Sequence, residues 1–184
     1  MDQEFLTVMG VLEDEAQRIL SDWQRAVLAC GLKGTQTMGI PFHVTLGSYP
    51  VQDEAILLKE MKRAAGEFAA VPLTLDCVDT FGDRVLFIKP QVPQALLALH
   101  RRFDCSFPYG HPWEPHVTVF CGEEEQVRQA RSMLESLFYP FQTRLTALEL
   151  GRFFPPRFIH REPLKYRIKK NRRARIGALR FWFV

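Results

Sequence analysis

Several things are missing from this chain. No run of about 18 consecutive apolar residues occurs, so no membrane-spanning helix is expected. The opening Met1-Asp2-Gln3-Glu4 is acidic and lacks the basic stretch of a secretory leader. Cysteine is scarce, four residues in 184 (Cys30, Cys77, Cys105, Cys121), with no C-x-x-C pair. Scattered thiols fit a reduced, cytoplasmic protein better than a disulfide framework, and they form no zinc pattern. No G-x-x-x-x-G-K-[ST] loop is present to cradle a nucleoside triphosphate. Acidic residues vanish from Lys165 onward, where eight cations stand without a single Asp or Glu. The net charge of +3 therefore leaves the preceding 164 residues at −5. Basicity belongs to the tail, and a weakly acidic body does not advertise a broad nucleic-acid footprint.

What is present is apolar. Hydrophobic residues make up 47% of the chain, with 15 phenylalanines, which is enough for a sizeable core and unlike a disordered composition. Phe5 to Val11 reads as a strand. A helix from about Asp14 to Cys30 carries Ala16, Ile19, Leu20, Trp23 and Val27 on one face, with Gly31 and Gly34 ending it. Phe42 to Gly47 alternates and is rich in Val and Thr, as a strand does. Asp53 is placed to cap a second helix, striped by Leu57, Met61, Ala64, Ala65 and Phe68. Leu73 to Val78 is the next strand. The order then repeats: a strand at Val85–Ile88, a helix opened by Pro93, and a Pro-rich loop from Pro108 to Pro115. A strand at His116–Phe120, a helix through Val127 to Phe138 and a strand at Phe141–Leu150 follow. Phe158 to Leu164 is a final strand.

Each half thus reads strand, helix, strand, helix, strand, which indicates an internal duplication. The third element of each begins with the same string: His43-Val44-Thr45-Leu46 and His116-Val117-Thr118-Val119. In a strand, residues two apart share a face. His43 and Thr45 therefore project together, as do His116 and Thr118, while Val44, Leu46, Val117 and Val119 point to the core. Two imidazoles and two hydroxyls on one cleft suit a phosphodiester. In-line displacement needs a base at the attacking oxygen and an acid at the leaving oxygen, on opposite sides of phosphorus. Imidazole, with an unperturbed pKa near 6.5, serves either role. The hydroxyls can hold the non-bridging oxygens.

At these two tetrapeptides the chain resembles the 2H phosphoesterase superfamily, and within it the bacterial 2′-5′ RNA ligase-like proteins, over about residues 5–164. The resemblance implies an α+β fold: bilobal, pseudo-twofold, with two antiparallel sheets lining a central cleft and helices outside. The domain is expected at 1–164, with lobes at about 1–80 and 81–164, and residues 165–184 as a basic extension. It implies metal-independent chemistry on 2′,3′-cyclic phosphates or 2′-5′-linked nucleotides. His43 and His116 would then be the acid–base pair, and Thr45 and Thr118 the phosphate binders. The expected partner is an RNA end or small nucleotide, the expected state a monomer, and no cofactor or metal is implied.

Other residues carry weaker signals. Tyr109 and Trp113 are candidates to stack a nucleobase, with lobe packing as the alternative. His111 reads as a loop residue at the cleft rim, His100 as a solvent-facing or packing residue on the third helix, and His160 has no partner motif. The tail is either a solvated extension or a contact for RNA or an unknown partner. Two further functions remain open on the sequence: a non-catalytic nucleotide or RNA-end binding module using the same cleft, and an interaction protein working through its tail.

Overall fold

The computed structural model describes residues 3–35, 39–108 and 110–165. The first half runs β1 (Phe5–Leu12), α1 (Asp14–Ala29), β2 (His43–Tyr49), α2 (Glu54–Glu67) and β3 (Val71–Phe81). The second half repeats it as β4 (Val85–Pro90), α3 (Gln94–His100), β5 (Val117–Cys121), α4 (Glu124–Leu137) and β6 (Phe141–Phe153). β7 (Arg157–Pro163) is an addition. The fold is α+β with antiparallel pairing throughout the named strands.

The local details follow from the sequence with small shifts. α1 buries Ala16, Leu20, Trp23 and Val27 on one face. It stops at Gly31, whose φ of 83° and N–H bond to the Leu28 carbonyl close the helix. Asp53 stands at the start of α2 but makes no side-chain cap. A 3-10 turn (Val51–Asp53) after Pro50 leads into the helix instead. Pro93 lies just before α3 rather than inside it, and its carbonyl accepts the N–H groups of Leu96 and Leu97.

The strands join in the order β2-β1-β6-β3-β4-β5, with β7 also on β6. β6 is the hinge of this network. Its first residues, Phe141–Leu145, pair with β3, while Leu145–Phe153 pair with β1 and Ala147–Arg152 with β7. The two sheets expected of the fold are thus two wings of one hydrogen-bonded system. Neither wing is a sequence half: β6 of the second half completes the wing of β1 and β2, and β3 of the first half completes that of β4 and β5.

The core lies between the helices and one face of these strands. Phe103 and Phe120 are fully buried in it, and each such ring removed from water stabilises by about 1.5–3 kcal/mol. Val44, Leu46, Val117 and Val119 all point into this core. Lys165, first residue of the basic extension, is pinned between Phe68 and Ala70 by two backbone bonds. The remainder of that extension, 166–184, lies outside the described residues.

Candidate active site

The two H-V-T strings occupy twofold-related places. β2 is the outer strand of one wing and β5 of the other. Each carries an irregularity at the fourth residue of its motif. Met9 pairs with Thr45 and Val8 with Gly47, so Leu46 is an extra residue. Phe87 pairs with Thr118 and Leu86 with Phe120, so Val119 is extra. A bulge increases the local twist and re-aims the neighbouring side chains.

A bulge also strips carbonyls of their ladder partners, and buried carbonyls need donors. Each is served from the opposite half of the chain. His100 Nδ1 donates to the Leu46 carbonyl at 2.8 Å, and Gln24 Nε2 donates to that of Val119 at 2.7 Å. His100 sits on α3 and Gln24 on α1, the equivalent helices of the two halves. Trp113 adds a bond from Nε1 to the Thr45 carbonyl at 2.8 Å and stacks flat on His100, centroids 3.8 Å apart.

The outer edges are covered as well. The segment at Cys105–Phe107 bonds to Ser48, and Thr35 N–H donates to the Cys121 carbonyl at 2.7 Å. Gly47 is required where the chain just before this segment passes β2, because a Cβ there would stand 1.7 Å from the Phe103 carbonyl oxygen. Both motif strands are therefore fixed at bulge and edge.

Both imidazoles are oriented in the same way. His43 Nδ1 lies 2.7 Å from the Pro41 carbonyl, and His116 Nδ1 lies 2.8 Å from that of Glu114. A carbonyl only accepts, so each Nδ1 carries the proton and each Nε2 keeps its lone pair. His116 also rests against the rings of Phe81 and Phe87, at 4.7 and 5.4 Å. Burial pulls the His43 pKa down to about 4. The Pro41 bond opposes this shift, and the charge on His116 adds to it. Burial also lowers His116, against its bond to the Glu114 carbonyl and the nearby Glu114 carboxylate. Both rings are therefore neutral near pH 7, with the lone pair at Nε2. The hydroxyls of Thr45 and Thr118 make no hydrogen bond to protein among the described residues, and both line the same cleft as the histidines. That cleft encloses about 980 Å³ and runs across the β1–β2–β6 wing.

The remaining sequence candidates fall elsewhere. Trp113 is committed to His100 and the Thr45 carbonyl and does not line the cleft, so of the two alternatives read for it the structure shows the packing one. Tyr109 lies outside the described residues. His111 is an exposed loop residue. His100 is 6% exposed, so it is the packing alternative, with a hydrogen bond that the sequence reading did not include. His160 pairs with Glu162 at 2.8 Å. The reading also missed Glu149 and Arg161, which line the cleft. The string Leu148-Glu149-Leu150 in an alternating strand held the signal: an acid on the face opposite two core leucines.

Comparison with known proteins agrees with this fold. Among curated proteins, none matches by sequence. A phosphoesterase of known structure superposes with a TM-score of 0.61 at 19% identity, over 88% of this chain and 99% of that one. E. coli LigT in apo form gives 0.56 at 18%, over 90% and 99%. TT0787 of Thermus thermophilus gives 0.58 at 16%, over 88% and 98%. The family model of the 2′-5′ RNA ligase superfamily matches residues 12–153, a span that holds both H-V-T strands and the two bulges behind them. The chain therefore belongs to the 2′-5′ RNA ligase superfamily, among the 2H phosphoesterases.

Proposed function

We propose that this protein is a metal-independent phosphoesterase acting on 2′,3′-cyclic phosphates or 2′-5′-linked nucleotides, with His43 and His116 as its acid–base pair. One observation carries the reading. Two twofold-related strands offer the same His–Thr platform to one cleft, each imidazole held through Nδ1 so that Nε2 is free. The nucleotide class draws support from E. coli LigT, whose structure is known with 3′-AMP and with phosphate.

In hydrolysis of a cyclic phosphate, one neutral imidazole takes a proton from water at Nε2 as the water oxygen bonds to phosphorus. The other, protonated, gives its proton to the ribose oxygen as that phosphorus–oxygen bond breaks. The bound phosphodiester anion raises the pKa of the acid partner, offsetting the burial that keeps it neutral in the free enzyme. Which histidine is base follows from which ribose oxygen leaves. Thr45 and Thr118 donate to the non-bridging oxygens as charge builds there. Ligation is the same displacement with a nucleotide hydroxyl in place of water, driven by the strain of the cyclic phosphate.

The test is a panel of cyclic and 2′-5′-linked substrates with product analysis. Turnover should persist in EDTA and fall by about two to four orders of magnitude in either His→Ala variant. Thr45→Val or Thr118→Val should cost roughly ten- to a hundredfold in kcat/KM. Robust activity in the double alanine variant would sink the proposal.

A further inference from the structure

The cleft is lopsided. Both His–Thr platforms open into it, and away from them its wall is shared between α1 with the segment before β2 and the β1–β2–β6–β7 wing. Strand register places Thr45, Met9, Glu149 and Arg161 in one row across that wing. Glu149 is two strand spacings from Thr45, about 10 Å, a distance comparable with one nucleoside.

Glu149 is an unusual wall residue. It is only 6% exposed, yet it lines the cleft. Arg161 stands 3.8 Å from its carboxylate, beyond hydrogen-bond range, so among the described residues nothing donates to Glu149. Its carboxylate opens onto the cleft, where a ligand can supply the donors. In the adjacent row Phe158 pairs with Gly151, which brings no side chain, and the Phe158 ring is left 61% exposed on the cleft wall. Phe153 lines the same end, stacked on Phe5 at 5.4 Å.

The pieces define a ligand. The apolar ring wants a flat partner, the carboxylate wants two adjacent N–H donors, and the guanidinium beside it wants an acceptor. In a nucleoside cyclic phosphate both ribose hydroxyls near phosphorus are esterified, so the donor pair must come from the base. Guanine alone among the four bases presents two neighbouring ring-edge donors, N1–H and N2–H, next to an acceptor, O6. Adenine and cytosine each set a ring acceptor beside their amino group, which the carboxylate repels. Uracil flanks its single N–H with two carbonyls.

Resting on the phosphoesterase reading above, we infer that Glu149, Arg161 and Phe158 form a base-specificity subsite that selects a guanine nucleotide. Glu149 accepts from N1–H and N2–H, Arg161 donates to O6, and Phe158 stacks on the ring. These are binding residues and take no part in proton transfer.

Equilibrium binding of the four ribonucleoside 3′-monophosphates, measured by titration calorimetry, tests the subsite. The wild-type protein should bind 3′-GMP roughly ten- to a hundredfold more tightly than the other three. Glu149→Gln should erase that preference by weakening guanine, since the amide oxygen accepts but its NH2 opposes a guanine donor, and should not weaken the other three. Arg161→Ala should weaken guanine selectively, and Phe158→Ala should weaken all four. Thermal melting of each variant separates loss of the subsite from loss of the fold. No guanine preference, no binding, or an equal loss for all four nucleotides in Glu149→Gln overturns the inference. A wild-type protein that shows the guanine preference but turns over no cyclic or 2′-5′-linked substrate overturns the functional reading and spares the subsite.

Discussion

The depressed pKa of His43 makes the arrangement of the cleft measurable by itself. In the unfolded chain this imidazole titrates near 6.5, and in the folded protein at about 4. A histidine held neutral contributes stability that is fully present above 6.5 and is lost as pH falls through 4. The full difference amounts to about 3 kcal/mol, of which about 2 kcal/mol has gone by pH 5. Carboxylates also titrate in this range, so the quantity to measure is a difference. Urea unfolding of the wild type and of His43→Asn should be followed at pH 7, 6, 5 and 4.5. The wild type should lose about 2 kcal/mol more than the variant between pH 7 and pH 5. In parallel, NMR titration of the ring carbons should place the His43 midpoint well below 6. Parallel pH profiles for the two proteins, or a His43 midpoint near 6.5, would refute the burial argument.

Three further outcomes follow from the packing. His100→Ala removes the donor to the Leu46 carbonyl and the stack on Trp113, and should cost about 2–4 kcal/mol in unfolding free energy. In the folded fraction kcat should fall with little change in KM, since His100 positions the β2 motif without touching substrate. Gly47→Ala should fail to give a folded protein, because its Cβ would meet backbone, whereas Gly66→Ala in α2 meets nothing within 4 Å and should stabilise by about 0.5–1 kcal/mol. Thermal melts of both variants check the contrast. Glu149 has its pKa raised by burial, with Arg161 opposing. A carboxyl raised in the folded state loses stability as pH rises through that value, so Glu149→Gln should melt higher than wild type at pH 7 and lose the advantage at pH 4. An unchanged melting temperature at both pH values would contradict that sign.

Much of the site was legible because it is local. Period-two alternation decides that His43 and Thr45 leave β2 on one face and Val44 and Leu46 on the other, and it does the same for β5. The repeated order of elements announced the duplication and the equivalence of the two strings. Nothing local announces the bulges, since a bulge exists only relative to the strand beside it. The exchange of β3 and β6 between wings was invisible for the same reason.

Sequence alone therefore determined the chemistry on offer, the strands that carry it and the faces those strands bury. Tertiary structure decided how the chemistry is held and what surrounds it. His100 and Gln24 lie 54 and 95 positions from the carbonyls they serve. Glu149 enters the cleft only through pairing with Met9, and Arg161 only through pairing with Glu149. The alternation of a strand is written in its own residues, but its register is set by partners distant in sequence. The depressed pKa of His43 is likewise a property of the closed cleft, because burial and a neighbouring imidazole exist only after the two halves have met.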